Sequence, residues 1–157
     1  MKQIELVKSI HIEAEATAVY SHLADISNHP GLQPLVVETR EIERTVADDG
    51  QTVIHFFSVE QFHFLGFIPY QNKIRVKMTQ IPEEHLLIQA VDSFPNITLI
   101  SRTTFQPDAT GTAVTETIHI STPNFVAGYV QKTADAAHDV LMQNLKTRLE
   151  TPQKQNP

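Results

Sequence analysis

The strongest constraint on the fold is a long amphipathic segment near the end of the chain. Thr122 and Pro123 mark its start, because threonine caps a first helical turn and proline is tolerated at the first helical position. From there to Glu150 the apolar residues recur every three or four positions, which predicts one helix with a single buried face. That face must pack against another apolar surface. Its predicted members are Val126, Val130, Ala134, Ala137, Val140, Leu141, Leu145 and Leu149.

Two different periodicities meet near the beginning of the chain. Between residues 3 and 12 the apolar side chains occupy alternate positions, which predicts a half-buried strand. Between residues 16 and 26 their spacing changes to three and four, which predicts a short amphipathic helix. Pro30 and Gly31 then break the helical pattern. The sequence therefore predicts a first strand followed by one short helix or a helix pair.

The middle of the chain, from Leu35 to about Thr122, predicts strands only. It is rich in Val, Ile, Thr and Phe, and turn-forming residues divide it into six runs. The runs follow one another too closely for crossover helices, so the sheet should be antiparallel. One face of this sheet is the only surface large enough to cover the long helix, and the sheet must therefore curve around it. The turns are expected at residues 48–50, 66–69, 82–84, 94–96 and 107–111.

This order of elements resembles the helix-grip fold of the START, polyketide-cyclase and birch-pollen-allergen superfamily. The local match is best at residues 10–20 (IHIEAEATAVY), which look like the family's strand end, small residue and helix start. It continues through residues 23–26 (LADI) and 29–30 (HP). Residues 111–115 (GTAVT) resemble the hairpin that opens the last strand of family members. The resemblance covers residues 3–150.

The resemblance implies an α+β fold in which a seven-stranded curved antiparallel sheet wraps around the C-terminal helix, with short helices between strands 1 and 2. It implies a single START/polyketide cyclase-like domain over residues 1–150, and the polar residues 151–157 are expected to form a frayed tail. Family members commonly hold a lipid, sterol, polyketide or other apolar molecule between sheet and helix. An apolar ligand cavity is therefore expected in this chain as well.

Three functions are compatible with such a domain. The first is binding or carriage of an apolar small molecule of lipid, polyketide or aromatic type. The second is a polyketide cyclase or dehydratase that moves protons with groups such as His55, Tyr70 or Glu116. The third is a protein-interaction module. The sequence leaves enzyme activity open, because it contains no nucleophile elbow, P-loop or dinucleotide-binding motif.

Composition narrows the range of partners. The 157 residues include no cysteine, which excludes disulfides and thiolate chemistry. The formal net charge is −6 and the 12 Lys and Arg residues are scattered, so neither nucleic acid nor an anionic membrane surface is an expected partner. The first residues show no secretory signal, and no apolar run reaches the length of a membrane helix. A soluble, cytoplasmic protein is therefore expected.

The 8 histidines are the most unusual feature of the composition. They form no His-x-His pair and no HExxH motif, so neither a metal site nor another cofactor is expected. His55 is the most interesting of them, because it alternates with apolar residues on one predicted strand face. With that face inward, His55 would be a hydrogen-bonding or general-base residue in the cavity. Otherwise it is an ordinary core or rim histidine. The face consists of Val53, His55, Phe57 and Val59.

A second candidate is an ion pair across the last hairpin. The proposed register places Gln106 opposite Thr112. Arg102 then lies opposite Glu116, on a face made otherwise of apolar residues. Inside the cavity this pair would orient the polar end of a ligand, whereas at the outer surface it would be an ordinary cross-strand pair. The choice depends on the register, because a slip of one residue moves the whole set to the other face.

Residues 62–70, which begin with Phe62 and end with Tyr70, are more apolar than an exposed hairpin needs. Three explanations are open: packing against the domain, an apolar lip at the cavity mouth that also forms a docking or homodimer surface, and transient membrane contact. Tyr70 and Asn72 could meet the polar end of a ligand at this lip. The candidate ligand-binding residues are His55, Phe57, Tyr70, Asn72, Arg102, Glu116, Val130, Ala134 and Ala137.

Overall fold

The computed structural model of the chain describes residues 1–64 and 66–151, apart from the side chain of residue 64. The tail that the sequence predicts to fray lies outside the described residues from position 152 onwards. The strands are β1 (Lys2–Ile12), β2 (Val36–Val46), β3 (Thr52–Phe64), β4 (Ile68–Ile81), β5 (Leu86–Ser93), β6 (Ile97–Asp108) and β7 (Gly111–Thr122). The helices are α1 (Ala16–Ala24) and α2 (Ala127–Glu150), with 3₁₀ turns at Ile26–Asn28, Pro82–Glu84 and Asn124–Val126.

The seven strands form one antiparallel sheet in the order β1-β7-β6-β5-β4-β3-β2. Consecutive strands from β2 to β7 are neighbours, as short turns require, and β1 pairs with β7 at one edge. The helix α1 lies between β1 and β2 in the chain, and α2 packs across the inner face of the sheet, most closely at β1. The predicted helix-grip fold with a curved antiparallel sheet is therefore confirmed.

The helix α2 packs differently along its length. In its C-terminal half, Leu141, Met142 and Leu145 are buried in the main core together with residues of α1. In its N-terminal half, the side chains that face the sheet are smaller, such as Ala134 and Ala137. Small side chains cannot fill the distance between a helix and a sheet at the density of a normal core. This half of the helix therefore leaves space above the sheet.

The helix α2 begins at Ala127, later than its predicted start at Thr122 and Pro123. Thr122 instead pairs with Lys2 at the end of β7, and Pro123 has an extended backbone with ψ of 140°. Strand pairing thus overrides the local preference for a helix cap. Val140, predicted on the buried stripe, is 42% exposed. Neither α2 nor any other helix within residues 1–64 and 66–151 is long and apolar enough to cross a membrane.

The face of β3 that carries His55 is the outer face of the sheet. Ile54 and Phe56 are buried, so the even-numbered residues point toward the helix. Phe57 points the other way, and the ammonium group of Lys73 lies 4.0 Å from the centre of its ring. His55 lies on the same outer face as Phe57. The prediction that these two residues face a cavity is therefore wrong, because both faces of β3 carry apolar side chains and alternation did not distinguish them.

The register of the β6–β7 hairpin differs from the predicted one by one residue. Gln106 pairs with Ala113 rather than with Thr112. The reason is the length of the turn, since Asp108 pairs with Gly111 and leaves only two residues between the strands. The side chain of Asp108 stabilises this tight turn by accepting a hydrogen bond from a backbone amide within it.

This shift separates the two members of the predicted ion pair. Arg102 pairs with Thr117 and is exposed on the outer face of the sheet. Glu116 pairs with Thr103 and points inward, where it is 4% exposed. The predicted contact between Arg102 and Glu116 is therefore wrong. Glu116 is left as a buried carboxyl group that needs another partner.

Candidate ligand-binding site

A cavity of about 560 Å³ lies between the N-terminal half of α2 and the inner face of the sheet. Its volume is typical of sites that hold small molecules. Strands β3 to β6 provide one wall and the small residues of α2 provide the other. The space that the family resemblance implies is therefore present. The apolar part of the lining includes Phe62, Ile74, Val91, Ile97, Leu99 and Val130.

The mouth of the cavity is surrounded by exposed aromatic residues. Tyr70 near the β3–β4 turn, Phe94 after β5 and Tyr129 in the first turn of α2 all line it. They are 54%, 83% and 66% exposed. Exposed apolar patches of this kind often mark a place where a ligand or partner binds. Other residues of the segment 62–70 also line the cavity, although residue 65 lies outside the described ranges.

Two buried polar residues join α2 to the sheet beside the cavity. The Nδ1 atom of His138 lies 2.9 Å from Oε2 of Glu116, and the two residues are 8% and 4% exposed. An ionised carboxyl group can only accept hydrogen bonds, so Nδ1 carries the hydrogen in this pair. The other ring nitrogen, Nε2, is then free to contact a molecule in the cavity, because His138 is part of its lining. Glu116 fixes the orientation of the ring.

A third titratable group, Glu60, lines the cavity from β3. Burial raises the pKa of its carboxyl group from 4.5 to about 7, and the charge of His138 opposes this shift only in part. Asn72 lies directly opposite Glu60 on β4, and its side-chain amide donates a hydrogen bond of 3.2 Å to the hydroxyl of Ser93. Glu60, Asn72 and His138 thus place polar groups in walls that are mostly apolar.

This arrangement can bind the polar end of an apolar molecule and can exchange protons with it. Because the pKa of Glu60 is raised to about 7, its carboxyl group can act as an acid or as a base near neutrality. His138, held at Nδ1 by a carboxylate, has the geometry of an oriented imidazole base. In the described part of the chain, no three potential metal ligands lie together.

The structure brings together some of the predicted ligand-binding residues and not others. Glu116 lies behind His138 and supports it rather than lining the cavity. His55, Phe57 and Arg102 lie on the outer face of the sheet, away from the cavity. A role in binding stays a prediction for the remaining residues. Those that line the cavity are Tyr70, Asn72, Val130, Ala134 and Ala137.

Sequence reasoning missed Glu60 and His138 as site residues. His138 had a signal, because it continues the apolar stripe of α2 four residues after Ala134 and seven before Leu145. A histidine at such a position faces the inside of the fold. Glu60 follows Phe56 on the same face of β3, but this signal could be used only once the inner face of that strand was known.

Solved structures with low sequence identity share the fold. The Zhui aromatase/cyclase from Streptomyces sp. R1128 has a TM-score of 0.75 and 11% identity, over 95% of this chain and 94% of that chain. A START superfamily protein from Mycobacterium smegmatis has a TM-score of 0.64 and 15% identity, over 93% of this chain and 97% of that chain. At these identities the likeness shows the fold alone.

A larger protein also contains a similar domain. The di-domain ARO/CYC BexL from the BE-7585A biosynthetic pathway has a TM-score of 0.73 and 12% identity, and the match covers 96% of this chain. This chain spans about half of BexL, since the match covers 51% of that protein. The likeness to BexL therefore concerns one domain-sized part of it.

The sequence itself was compared with known families and proteins. It matches the family described as polyketide cyclase / dehydrase and lipid transport over residues 3–150. A search among curated proteins found no match. The matched range runs from β1 to the end of α2 and so includes the sheet, the long helix and the cavity between them. The chain therefore belongs to the polyketide cyclase / dehydrase and lipid transport family.

Proposed function

We propose that this protein binds or carries an apolar small molecule, of lipid, polyketide or aromatic type, between the sheet and α2. The observation that carries the proposal is the cavity of about 560 Å³, which the small side chains of α2 leave open above an apolar sheet. Burial of apolar ligand surface there would stabilise the complex by about 25 cal/mol per Å² removed from water. The family description, which includes lipid transport, agrees with such a ligand.

The ligand would be oriented by its polar end. Glu60 and Nε2 of His138 would contact that end, with Asn72 beside them. Phe62 and Leu99 would contact the apolar body of the molecule. A cavity with mostly apolar walls and a few placed polar groups can both hold a ligand and fix its direction.

The exposed aromatic rim supports a further role for the cavity mouth. Phe94, Tyr129 and Tyr70 would be covered if two copies of the chain met through the segment 62–70, or if the mouth touched a membrane briefly while a ligand passed. Sedimentation velocity of the ligand-free protein tests the first role, which requires a dimer. Flotation with zwitterionic vesicles tests the second role. A protein that stays monomeric and does not bind vesicles would contradict both roles.

The binding function is tested by native mass spectrometry of protein purified from a lipid-rich expression host. Spectra are compared under gentle and denaturing conditions. A co-purified small molecule that is lost on denaturation would support the proposal and give the chemical class of the ligand. Protein that is empty, and stays empty after incubation with fatty acids, long-chain alcohols and amines, sterols and aromatic polyketides, would contradict it.

A second candidate function is acid–base catalysis in the same cavity, as a polyketide cyclase or dehydratase. The observation that favours it is the presence of Glu60 and His138, two proton-exchanging groups, in the lining. In a dehydration, the Glu60 carboxylate would take a proton from the carbon next to a carbonyl group. Protonated His138 would give a proton to the departing hydroxyl, which leaves as water, while Glu116 holds the ring.

The two candidate functions can be separated with a poly-β-ketone substrate. Its ring closure and dehydration are followed by ultraviolet absorbance in the presence of the wild-type protein, Glu60→Gln and His138→Gln. A catalyst should accelerate the reaction, and both variants should lose the acceleration while they still bind the compound. Binding without acceleration by the wild-type protein would leave carriage as the function.

A further inference from the structure

We infer, on the basis of the proposed binding function, that the cavity takes apolar molecules whose polar end is a basic amine and discriminates against those that end in a carboxylate. Three observations lead to this ligand class. They are the acidic groups in and beside the cavity wall, the positions of the cations on neighbouring elements, and the hydrogen-bond acceptors that the wall offers.

The cavity wall contains acidic groups without a matching cation. Glu60 lines the cavity, and the described lining residues include no lysine or arginine. Glu116, which contacts His138 at 2.9 Å, is a second acidic group beside the cavity. With both carboxyl groups ionised, Glu60, Glu116 and His138 together carry a negative charge whether His138 is neutral or protonated. The polar part of the wall therefore attracts cations.

Several cations of the surrounding elements contact other groups instead of the cavity. Lys8 of β1 forms ion pairs with two aspartates of α2. Lys73 and Arg75 of β4 lie over the ring of Phe57, on the outer face of the sheet. Arg148 of α2 donates hydrogen bonds to backbone carbonyl groups of the loop after α1. A carboxylate ligand would therefore meet no lysine or arginine among the described residues that line the cavity.

Three side chains of the polar wall offer hydrogen-bond acceptors to a ligand. Nδ1 of His138 is used by Glu116, so Nε2 of the neutral ring accepts. The side-chain nitrogen of Asn72 donates one of its two hydrogens to Ser93, and the side-chain oxygen of Asn72 is an acceptor. The ionised carboxyl group of Glu60 can only accept. An ammonium group has three donors and complements these three acceptors, whereas a carboxylate has no donor for them.

The charge of the ligand also decides what its burial costs. An ammonium group beside Glu60 can donate hydrogen bonds to the carboxyl group, which replace those that the two groups lose with water. Its positive charge also favours the ionised form of Glu60 over the protonated form. A carboxylate in the same place sets two like charges together, so one of them must take up a proton. A hydroxyl group has neither effect. The expected order of affinity is therefore amine, then alcohol, then carboxylate.

The test uses three probes with the same hydrocarbon chain: dodecylamine, dodecanol and dodecanoate. Their binding to the full chain is measured at neutral pH, below their aggregation limits, by displacement of a neutral fluorescent apolar dye. Dodecylamine is expected to bind at least ~10-fold more tightly than dodecanoate. In Glu60→Gln, which keeps the shape of the side chain, dodecylamine should lose most of this advantage while the affinity for dodecanol changes little.

Glu43→Gln is the matched control. Glu43 is exposed on β2 opposite His55, so its replacement removes an acidic group from the protein without touching the cavity. An equal loss of amine preference in Glu43→Gln and Glu60→Gln would overturn the inference, because it would indicate general charge attraction. If dodecanoate binds as tightly as dodecylamine, the inferred preference for amines is wrong, but the proposed binding function is still supported. If neither the dye nor any probe binds, the binding function itself fails.

Discussion

His138 on α2 and Glu116 on β7 form a buried hydrogen bond of 2.9 Å that connects the helix to the sheet at the boundary between the packed core and the cavity. On the C-terminal side of His138, Leu141 belongs to the core. On its N-terminal side, Ala134 lines the cavity. The pair therefore joins the two layers at the edge of the cavity, whose lining includes His138.

The two members of this pair should stabilise the fold cooperatively. Glu116→Ala and His138→Ala should each lower the free energy of unfolding by about 1–3 kcal/mol, because each leaves a buried polar group without its partner. Once one partner has been replaced, replacing the other should lower the free energy of unfolding by less than it does in the wild-type protein. The difference is a coupling energy of roughly 1–3 kcal/mol. Urea denaturation of the wild-type protein, both single variants and the double variant measures this coupling.

The chain offers a matched control for that cycle in His119 and Glu5. These side chains are of the same types and lie 3.4 Å apart, but they are 58% and 61% exposed. Solvent screens such a pair, so its coupling energy should stay below about 1 kcal/mol. Equal coupling in the two pairs would mean that burial does not strengthen the contact between His138 and Glu116.

Glu60 should make the stability of the protein depend on pH. Its pKa is raised from 4.5 to about 7 by burial, so the folded protein keeps this proton in a range where the unfolded chain has lost it. The free energy of unfolding should therefore fall as the pH rises from 4.5 to about 7, and stay lower above that range. The full loss is on the order of 3 kcal/mol.

The matched variant is Glu60→Gln, which cannot ionise. Relative to the wild-type protein it should gain stability as the pH rises through this window, and the two should converge again below it. Carbon-detected NMR of the Glu60 carboxyl group gives the pKa directly. A carboxyl group that titrates at its ordinary value would show that Glu60 is well solvated, contrary to its position in the cavity wall.

Gly111 should tolerate no side chain. Its φ is +154°, and an added Cβ atom would lie 2.1 Å from the backbone oxygen of Ile12, so the β1–β7 edge would have to move. Gly111→Ala should therefore lower the free energy of unfolding by roughly 1–3 kcal/mol. Gly128→Ala is the control, because a Cβ atom there meets nothing within 4 Å and alanine favours α2. It should stabilise the protein by up to about 1 kcal/mol, and equal effects of the two changes would contradict this description.

The order of the elements could be predicted from the sequence because each element has a local signature. Alternation indicated β1, helical spacing indicated α1 and α2, and turn residues divided the six remaining strands. The start of α2 could not be predicted in this way. Thr122 has the properties of a helix cap, but its pairing with Lys2 in the sheet overrides them.

The inner faces of the strands could not be predicted, and this limited the prediction of the site. On β3 the outer Phe57 is as apolar as the inner Phe56. A phenylalanine is tolerated on the outer face because the side chain of Lys73 covers its ring. The sequence alone does not show that contact between neighbouring strands. Tyr70 and Asn72 could be predicted to lie at the cavity, because they stand at the end of an apolar hairpin. Glu60 could not, because its position in the cavity wall depends on which face of β3 points inward.

The most direct measurement compares the binding of dodecanol to the wild-type protein, Ala134→Leu and Ala136→Leu by calorimetry. Ala134 lines the cavity, and Ala136 is exposed on the same helix, so the two variants add the same side chain inside and outside the cavity. Because the added side chain would occupy the ligand's space, Ala134→Leu should weaken binding at least ~10-fold, while Ala136→Leu should bind like the wild-type protein. Equal binding by all three proteins would place the ligand elsewhere and contradict a binding function for this cavity.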